Sequence, residues 1–256
     1  MVLLLVLALV LALAAPLSAA KEVFTGRATT YGLTTTIGGS CSARLAPYGL
    51  NESLFVAMNY DQYDESASCS RCLSITGPSG TVTTFVADLC YECGHSNLDL
   101  NTALWYTVVG GDPRIESISW YFTPCPDEQE KFCWKEGSNP QWFALQVPNS
   151  RDGVKAMEIN GEDAEVIGVT SFYQVSPADA IDLSSVKVKI TSNEGITSKF
   201  TLEEADYNDC PMTDDSSSTT TAPSASSTTT VTTDTTGATA HHIAWQAYRR
   251  QRVSFY

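Results

Sequence analysis

Eight cysteines constrain this chain more than any other feature of its sequence. All of them follow residues 1–20, a segment with no charged side chain that ends in small residues before Lys21. We interpret that segment as a secretory signal peptide, because its apolar run is shorter than the ~20 residues of a membrane span. An N-terminal membrane anchor is the alternative. In an exported protein, an even number of cysteines predicts a fold held together by disulfides.

Two Cys-x-x-Cys pairs leave a second interpretation of the cysteines open. Cys69 and Cys72 form one pair, and Cys90 and Cys93 form the other. This arrangement also occurs in zinc sites with thiolate ligands. We favour disulfides, since oxidation competes with metal binding outside the cell, and we expect neither a metal nor a cofactor.

The chain is acidic, with a formal net charge of −14 at pH 7 and a pI of about 4.5. Nucleic acid binding requires clustered Lys and Arg, so nucleic acid is not an expected partner. Acidic pectin would be repelled for the same reason, whereas a neutral polysaccharide is compatible with the charge. The acidity also serves to keep an extracellular protein soluble.

Composition divides the chain into five segments. The signal peptide (1–20) precedes a first globular region (21–126), a charged connector (127–131) and a second globular region (132–212). Residues 213–256 are predicted to be a disordered tail, because their Ser- and Thr-rich part cannot bury a core and is suited to O-glycosylation. Asn51 begins an Asn-Glu-Ser sequon beside a predicted turn and is the expected N-glycosylation site.

Both globular regions show the alternation of short β-strands. Val82, Thr84 and Val86 alternate with their neighbours in a half-buried pattern. One helix is predicted in the first region, with Asn101 as its N-cap and its end before Gly110. The second region contains short strands at the spacing of a β-sandwich, over residues 142–147, 155–159, 165–175, 186–191 and 199–202.

The segment Asp88-Leu89-Cys90-Tyr91-Glu92-Cys93, followed by Leu98-Asp99-Leu100, places one carboxylate just before the predicted helix. Segments of this form resemble the double-psi β-barrel of expansins and expansin-like proteins. Further segments extend the resemblance in the same order across both regions: Gly26-Arg27-Ala28-Thr29-Thr30-Tyr31-Gly32, Ala57-Met58-Asn59, Cys69-Ser70-Arg71-Cys72-Leu73-Ser74-Ile75-Thr76-Gly77-Pro78, Lys135-Glu136-Gly137-Ser138 and Trp142-Phe143-Ala144-Leu145-Gln146-Val147.

This resemblance, which is closest to the microbial expansin-like branch, implies a fold and a set of disulfides. The expected fold is mainly β, a six-stranded double-psi β-barrel followed by an immunoglobulin-like β-sandwich that binds carbohydrate. The implied disulfides join Cys41 to Cys69 and Cys72 to Cys125. The other four cysteines are expected to pair as Cys90–Cys93 and Cys133–Cys210.

The resemblance also implies a functional groove on the barrel. Thr29, Tyr31, Asp88 and Asp99 are expected to line it, with Asp99 at the position of the family's most critical aspartate. Two structural alternatives remain open. In the first, Asp99 serves only as a cap of the helix. In the second, Asp88 satisfies backbone N–H groups at the end of a strand.

The second region is expected, by resemblance, to carry a line of aromatic rings that stack on sugars. Trp142 and Phe143 belong to this line, together with an aromatic ring at Phe172 or Tyr173. Since adjacent residues of a regular strand face opposite sides, the alternative places Phe143 or Phe172 in the core.

A count of carboxylates bears on catalysis. An inverting glycosidase needs a general acid and a general base about 6.5–9.5 Å apart. The resemblance places the base just after Tyr31, but the sequence has no carboxylate between Glu22 and Glu52. Asp99 is therefore a candidate catalytic acid without the matching base, and Asp88 could substitute for that base only if the groove geometry allowed it. This count favours a role other than hydrolysis.

We therefore expect a secreted expansin-like protein that binds cellulose, another β-glucan or xyloglucan and loosens plant-type cell walls without hydrolysis. We expect it to be a monomer and, after signal removal, not to associate with membranes. One alternative is a weak endo-acting glycoside hydrolase or lytic transglycosylase built on the same barrel. The other is a carbohydrate-binding or elicitor-like protein without loosening activity.

Overall fold

A computed structural model describes residues 21–126, 129–208 and 210, so the predicted signal peptide and the Ser/Thr-rich tail lie outside the described residues. The first six strands close into a barrel in the order β1-β5-β2-β4-β3-β6. They are β1 (Phe24–Tyr31), β2 (Phe55–Asn59), β3 (Cys72–Gly77), β4 (Gly80–Cys90), β5 (Leu98–Asn101) and β6 (Glu116–Phe122). Within the described ranges, no helix has the length and apolar character needed to cross a membrane.

The barrel interior is filled by apolar side chains that alternate along the strands. In the three strands that carry the candidate site they are Ala28 of β1, Val56 and Met58 of β2, and Leu98 and Leu100 of β5. Because the side-chain period of a strand is two, Thr29, Ala57 and Asp99 lie on the opposite, outer face. This alternation separates the residues that hold the barrel together from those available to a site.

Two short helices follow strands of the barrel, α1 (Tyr60–Tyr63) after β2 and α2 (Thr102–Val108) after β5. The N-cap of α2 is Asn101, whose Oδ1 accepts a hydrogen bond from the Leu104 N–H at 3.0 Å. Trp105 and Val108 bury the inner side of this helix against the barrel. The helix and its cap are those predicted from the sequence.

The second part of the chain is a seven-stranded sheet in the order β13-β12-β9-β10-β11-β8-β7. Its elements are β7 (Lys131–Trp134), β8 (Phe143–Asn149), β9 (Ala156–Ile159), β10 (Glu162–Val166), β11 (Tyr173–Val175), β12 (Val186–Thr191), β13 (Thr197–Leu202) and the helix α3 (Glu204–Asn208).

Strand β10 belongs to both halves of this sheet. Its first residues pair with β9, and its last two, Glu165 and Val166, pair with β11. The sheet curls around this strand, and one apolar core joins residues of both halves, among them Phe143 and Leu145 of β8 and Val188 and Ile190 of β12. The predicted fold class, mainly β with a six-stranded barrel followed by a sandwich-like domain, is confirmed.

Two details of the second region differ from the sequence prediction. The single strand predicted over residues 165–175 is interrupted by a turn, in which Gly168 has a φ of 59° and Thr170 donates a hydrogen bond to the Ile167 carbonyl. Strand β7 begins at Lys131, the last residue of the predicted connector, because Lys131 pairs with Asn149 of β8.

The structure contains four disulfides, Cys41–Cys69, Cys72–Cys125, Cys90–Cys93 and Cys133–Cys210, with the partners that were expected. Neither Cys-x-x-Cys pair is a zinc site, since all eight cysteines are disulfide-bonded. Among the described residues, no three His, Cys, Asp or Glu side chains are grouped closely enough to hold a metal ion.

The barrel and the sheet lie in one compact unit and are joined by buried hydrogen bonds. The fully buried Gln146 of β8 accepts from the Arg44 N–H at 2.7 Å and donates to the Ser42 carbonyl at 3.1 Å. In the opposite direction, the Tyr63 hydroxyl of the barrel donates to the Val169 carbonyl at 2.5 Å. Buried polar contacts of this kind fix two surfaces in one register, because each unpaired partner would be costly.

Candidate functional site

A row of polar side chains crosses four neighbouring strands of the barrel. Thr29 of β1 is paired with Asp99 of β5, which is paired with Ala57 of β2, which is paired with Asp88 of β4. We call Thr29, Asp99 and Asp88 the polar row. Since strands are spaced 4.7–4.9 Å apart, the Cα atoms of the two aspartates, on either side of Ala57, lie about 10 Å from each other.

A β-bulge brings Asp88 into this row. The register between β2 and β4 shifts after Val56, which is paired with Val86, whereas Ala57 is paired with Asp88. Ala87 is the extra residue, and bulges commonly redirect a side chain beside a functional site. Without the shift, Ala87 would stand opposite Ala57 and the row would lack its second carboxylate.

Asp99 is buried, with 4% of its surface exposed, and its Oδ1 accepts a hydrogen bond from the Thr29 hydroxyl at 2.7 Å. It lies within β5 and does not cap the following helix, because Asn101 occupies the cap. The alternative that Asp99 serves only as a helix cap is therefore wrong. The strand fixes its position and Thr29 fixes its rotamer.

Asp88 has a different environment, because the β1–β2 loop lies against it. Its Oδ1 accepts the backbone N–H groups of Ser40 at 2.7 Å and Leu89 at 2.8 Å. Gly39 makes this approach possible, since a Cβ at that position would collide with the Ala87 carbonyl. Asp88 thus makes the backbone contacts described by the structural alternative, and its Oδ2 is also buried.

Tyr31 lies two residues beyond Thr29 on the same face of β1. It is half-buried against a small outer cluster that includes Phe55, Phe85 and Leu33. The structure therefore brings Thr29, Tyr31, Asp88 and Asp99 to one face of the barrel. Chemically, this face offers hydroxyl and carboxylate groups that can bind a polyhydroxylated ligand.

Catalysis of hydrolysis would need a second, water-accessible carboxylate. Asp88 is 3% exposed, and its Oδ1 is engaged by two backbone N–H groups of its own chain. These two contacts tie the Asp88 carboxylate to the backbone of its own chain.

Among the predicted stacking rings, Trp142 is half-buried and immediately precedes β8. Its indole N–H donates to the Gln174 side-chain oxygen at 2.9 Å, which holds the ring in one orientation. Phe143, the next residue, is fully buried and its ring packs edge-on against Tyr207, with centroids 5.5 Å apart. Adjacent residues therefore face opposite sides, as a regular strand requires.

The other two predicted rings are also buried. Phe172 is 1% exposed and lies beneath two cations, with the Lys135 Nζ 5.3 Å and the Arg44 guanidinium carbon 5.8 Å from its centroid. The Tyr173 hydroxyl donates to the Val154 carbonyl at 2.7 Å, and burial raises the pKa of this tyrosine. The structure does not bring Phe143, Phe172 and Tyr173 to an exposed strip with Trp142, and sugar stacking stays a prediction for Trp142.

Two exposed tyrosines were not identified from the sequence. Tyr60 and Tyr91 are 60% and 52% exposed, and their rings stack with centroids 5.9 Å apart and an interplanar angle of 27°. A local signal was present, because each tyrosine directly follows a barrel strand and is itself followed by an acidic residue, Asp61 or Glu92. Their contact was not visible, since it joins segments thirty residues apart in the sequence.

Two curated proteins are similar to this chain in sequence. No family model matches the sequence. Expansin-like protein 1 of Dictyostelium discoideum is 25% identical over 188 residues, covering 68% of this chain and 65% of the relative. Expansin-YoaJ of Bacillus subtilis (strain 168) is 27% identical over 140 residues, covering 54% and 60%. The chain thus spans less than two thirds of the length of either curated relative.

Solved structures cover the chain more fully. The apo expansin of Clavibacter michiganensis superposes with a TM-score of 0.62 at 26% identity, covering 75% of this chain and 96% of that one. A mutant of that expansin in complex with cellohexaose gives the same TM-score and coverage at 27% identity.

The closed barrel with its outer polar row, followed by a curled antiparallel sheet, defines a two-part, mainly β protein. The curated relatives and the solved structures are all named expansins or expansin-like proteins, and the solved structures share the architecture of this chain. The chain is expansin-like in sequence and in fold.

Proposed function

We propose that this protein is secreted, binds cellulose or a related β-glucan, and loosens plant-type cell walls without hydrolysing their chains. The observation that carries the proposal is the polar row, in which a buried Asp99 is positioned by Thr29 while Asp88 anchors a loop. The cellohexaose complex of the Clavibacter michiganensis expansin supports a cellulose-type ligand. The four disulfides support export, because such bonds persist in oxidising compartments.

The absence of hydrolysis is proposed from the two carboxylates of the row. A retaining or an inverting mechanism requires both carboxyl groups to reach the scissile bond or its water. Asp99 is held by a side chain, through its hydrogen bond from Thr29, whereas the contacts of Asp88 with Ser40 and Leu89 tie it to the backbone. One carboxylate and a neighbouring hydroxyl support binding and reorganisation of a glucan better than its cleavage.

The test is the substitution Asp99→Asn. Asparagine keeps the size of the side chain and can still accept the hydrogen bond from Thr29, but it removes the charge and any proton transfer. Extension of isolated wall strips under constant load is expected to fall at least tenfold, while the unfolding transition and cellulose binding are retained. Asp112→Asn, which makes the same change at an exposed position elsewhere on the barrel, is the matched control and is expected to keep the activity.

The outcomes separate the candidate functions. Reducing sugar is measured in the same samples, and release that depends on Asp99 would instead identify a glycoside hydrolase. Wild-type protein that binds cellulose but extends no wall would identify a carbohydrate-binding protein without loosening activity. If Asp99→Asn extends walls as well as the wild type does, Asp99 does not act in the site.

Trp142→Ala tests the proposed contribution of the sheet. Loss of one stacking ring is expected to weaken cellulose binding by about 1–3 kcal/mol while leaving the barrel folded. Pull-down isotherms on microcrystalline cellulose measure the change, and circular dichroism monitors the fold. If Trp142→Ala binds normally or unfolds the sheet, the ring serves the structure and the binding surface lies elsewhere.

A further inference from the structure

The stacked tyrosines Tyr60 and Tyr91 are unusual for a protein surface. Among the described residues, seven large apolar side chains are exposed, and only these two stack on one another. Single exposed apolar residues are ordinary, but two aromatic rings in contact form a larger apolar surface that faces water. Neither ring contributes to the barrel core, so their presence calls for a binding role.

The position of the pair relates it to the polar row. Strands β2 and β4 are parallel, with Ala57 paired with Asp88. Tyr60 lies three residues after Ala57, and Tyr91 lies three residues after Asp88. Both tyrosines therefore lie on the same side of the row, within about 10 Å of it along the strands at 3.3 Å per residue.

Both tyrosines are held by rigid elements. The buried Asn59, which precedes Tyr60, donates to the Gln62 side chain at 2.7 Å and to the Asn97 carbonyl at 3.2 Å. Gln62 in turn accepts the Ser96 N–H at 2.9 Å, which ties the turn before β5 to α1. Tyr91 lies within the turn closed by the Cys90–Cys93 disulfide. A pre-positioned platform of this kind loses little conformational entropy on binding.

The charge around the pair specifies its ligand. Asp61 and Glu92, which follow the two tyrosines, are both exposed. The Nδ1 of the nearby His95 lies 4.0 Å from the Asp61 carboxylate. Aromatic faces bind the apolar faces of sugar rings without requiring charge, while the acidic neighbours repel a polyuronate.

We propose that Tyr60 and Tyr91 form a stacking subsite for a neutral β-glucan chain that continues along the barrel from the polar row. This inference rests on the proposed function and deepens it, because it locates a second glucan contact on the barrel and selects neutral over acidic chains. The sheet residue Trp142 is not needed for this contact.

Calorimetric titration of the full chain with cellohexaose tests the subsite. Tyr60→Ala and Tyr91→Ala are each expected to weaken binding about 3- to 10-fold, since one stacking contact is removed. Tyr60→Phe and Tyr91→Phe, which keep the ring, are expected to stay within twofold of the wild type. Tyr106→Ala removes an equally exposed tyrosine from α2 and is the matched control.

A second experiment tests the charge selectivity through a gain of binding to an acidic sugar, rather than through a loss of affinity for cellohexaose. The wild type is expected not to bind oligogalacturonate, whereas Asp61→Lys combined with Glu92→Lys is expected to bind it. Wild-type affinity for cellohexaose in both alanine variants would overturn the subsite while leaving the proposed function intact. A wild-type protein that binds no cellohexaose would overturn both, and equal binding of the two sugars by the wild type would overturn the selectivity.

Discussion

Replacing Asp88 with alanine is expected to loosen the β1–β2 loop at Ser40, while the Cys41 N–H still donates to the Ala87 carbonyl of β4 at 3.2 Å. The carboxylate is 3% exposed, and its Oδ1 accepts the backbone N–H groups of Ser40 and Leu89. Both donors would lose this acceptor in Asp88→Ala. Asp99→Ala is the natural comparison, since it removes a carboxylate of similar burial that accepts from the side chain of Thr29 rather than from the backbone.

The contacts give the expected size of the difference. A buried backbone donor left without a partner costs about 1–3 kcal/mol. Two such donors, partly rehydrated as the loop moves, should lower the free energy of unfolding by about 2–4 kcal/mol. For a chain of this size that loss corresponds to a fall in Tm of roughly 4–16 °C. Asp99→Ala should cost only about 0.5–1.5 kcal/mol, because the half-buried Thr29 hydroxyl can rotate towards solvent.

Urea unfolding followed by circular dichroism measures both variants on the oxidised chain, in which the Cys41–Cys69 disulfide still holds the residue next to Ser40. Asp88→Asn provides a graded control. It keeps one acceptor oxygen but loses the charge, so its stability should lie between those of the wild type and Asp88→Ala. If Asp88→Ala were no less stable than Asp99→Ala, Asp88 would not anchor the loop and its assignment as a structural carboxylate would be refuted.

Three further predictions concern the rest of the molecule. In eukaryotic expression, Asn51→Gln should abolish the mass shift caused by N-glycosidase, because Asn51 is exposed. Removing the Cys133–Cys210 disulfide should cost about 2–4 kcal/mol in urea unfolding, more than removing Cys90–Cys93, which closes a far shorter loop. Burial raises the pKa of Tyr173, so stability should be intact below about pH 10 and fall above it. Tyr173→Phe should flatten that fall in urea titrations at pH 8 and 11.

Local sequence signals were sufficient for much of the barrel. Alternation along β4 and the Asn101 cap of α2 depend on neighbouring residues, which a sequence pattern reports directly. The resemblance to expansins supplied the pairing of the disulfides and the residues of the polar row. These features agree because each depends on short-range chemistry or on a motif that the chain retains.

Contacts between distant segments could not be predicted in this way. The Ala87 bulge, which aligns Asp88 with Ala57, is a register choice between two strands and leaves no periodic trace in either. The contact of the Ser40 N–H with Asp88 depends on how a long loop folds back. The burial of Phe172 likewise depends on Arg44 and Lys135, which come from other parts of the chain.

A protein surface that loosens a wall without hydrolysis must form more than one kind of contact with a glucan chain. Glucan chains in a wall contact one another through hydroxyl groups and through apolar ring faces, and a protein that separates them must replace both. Thr29 and Asp99 of the polar row are proposed to supply hydrogen-bonding groups, and Tyr60, Tyr91 and Trp142 are proposed to supply ring faces. A hydrogen bond exchanged with water contributes only about 0.5–1.5 kcal/mol, so no single contact can offset a displaced glucan neighbour. Several contacts on one rigid body must act on the same chain, and we therefore expect the loss of Asp99 to reduce wall extension more than it reduces binding.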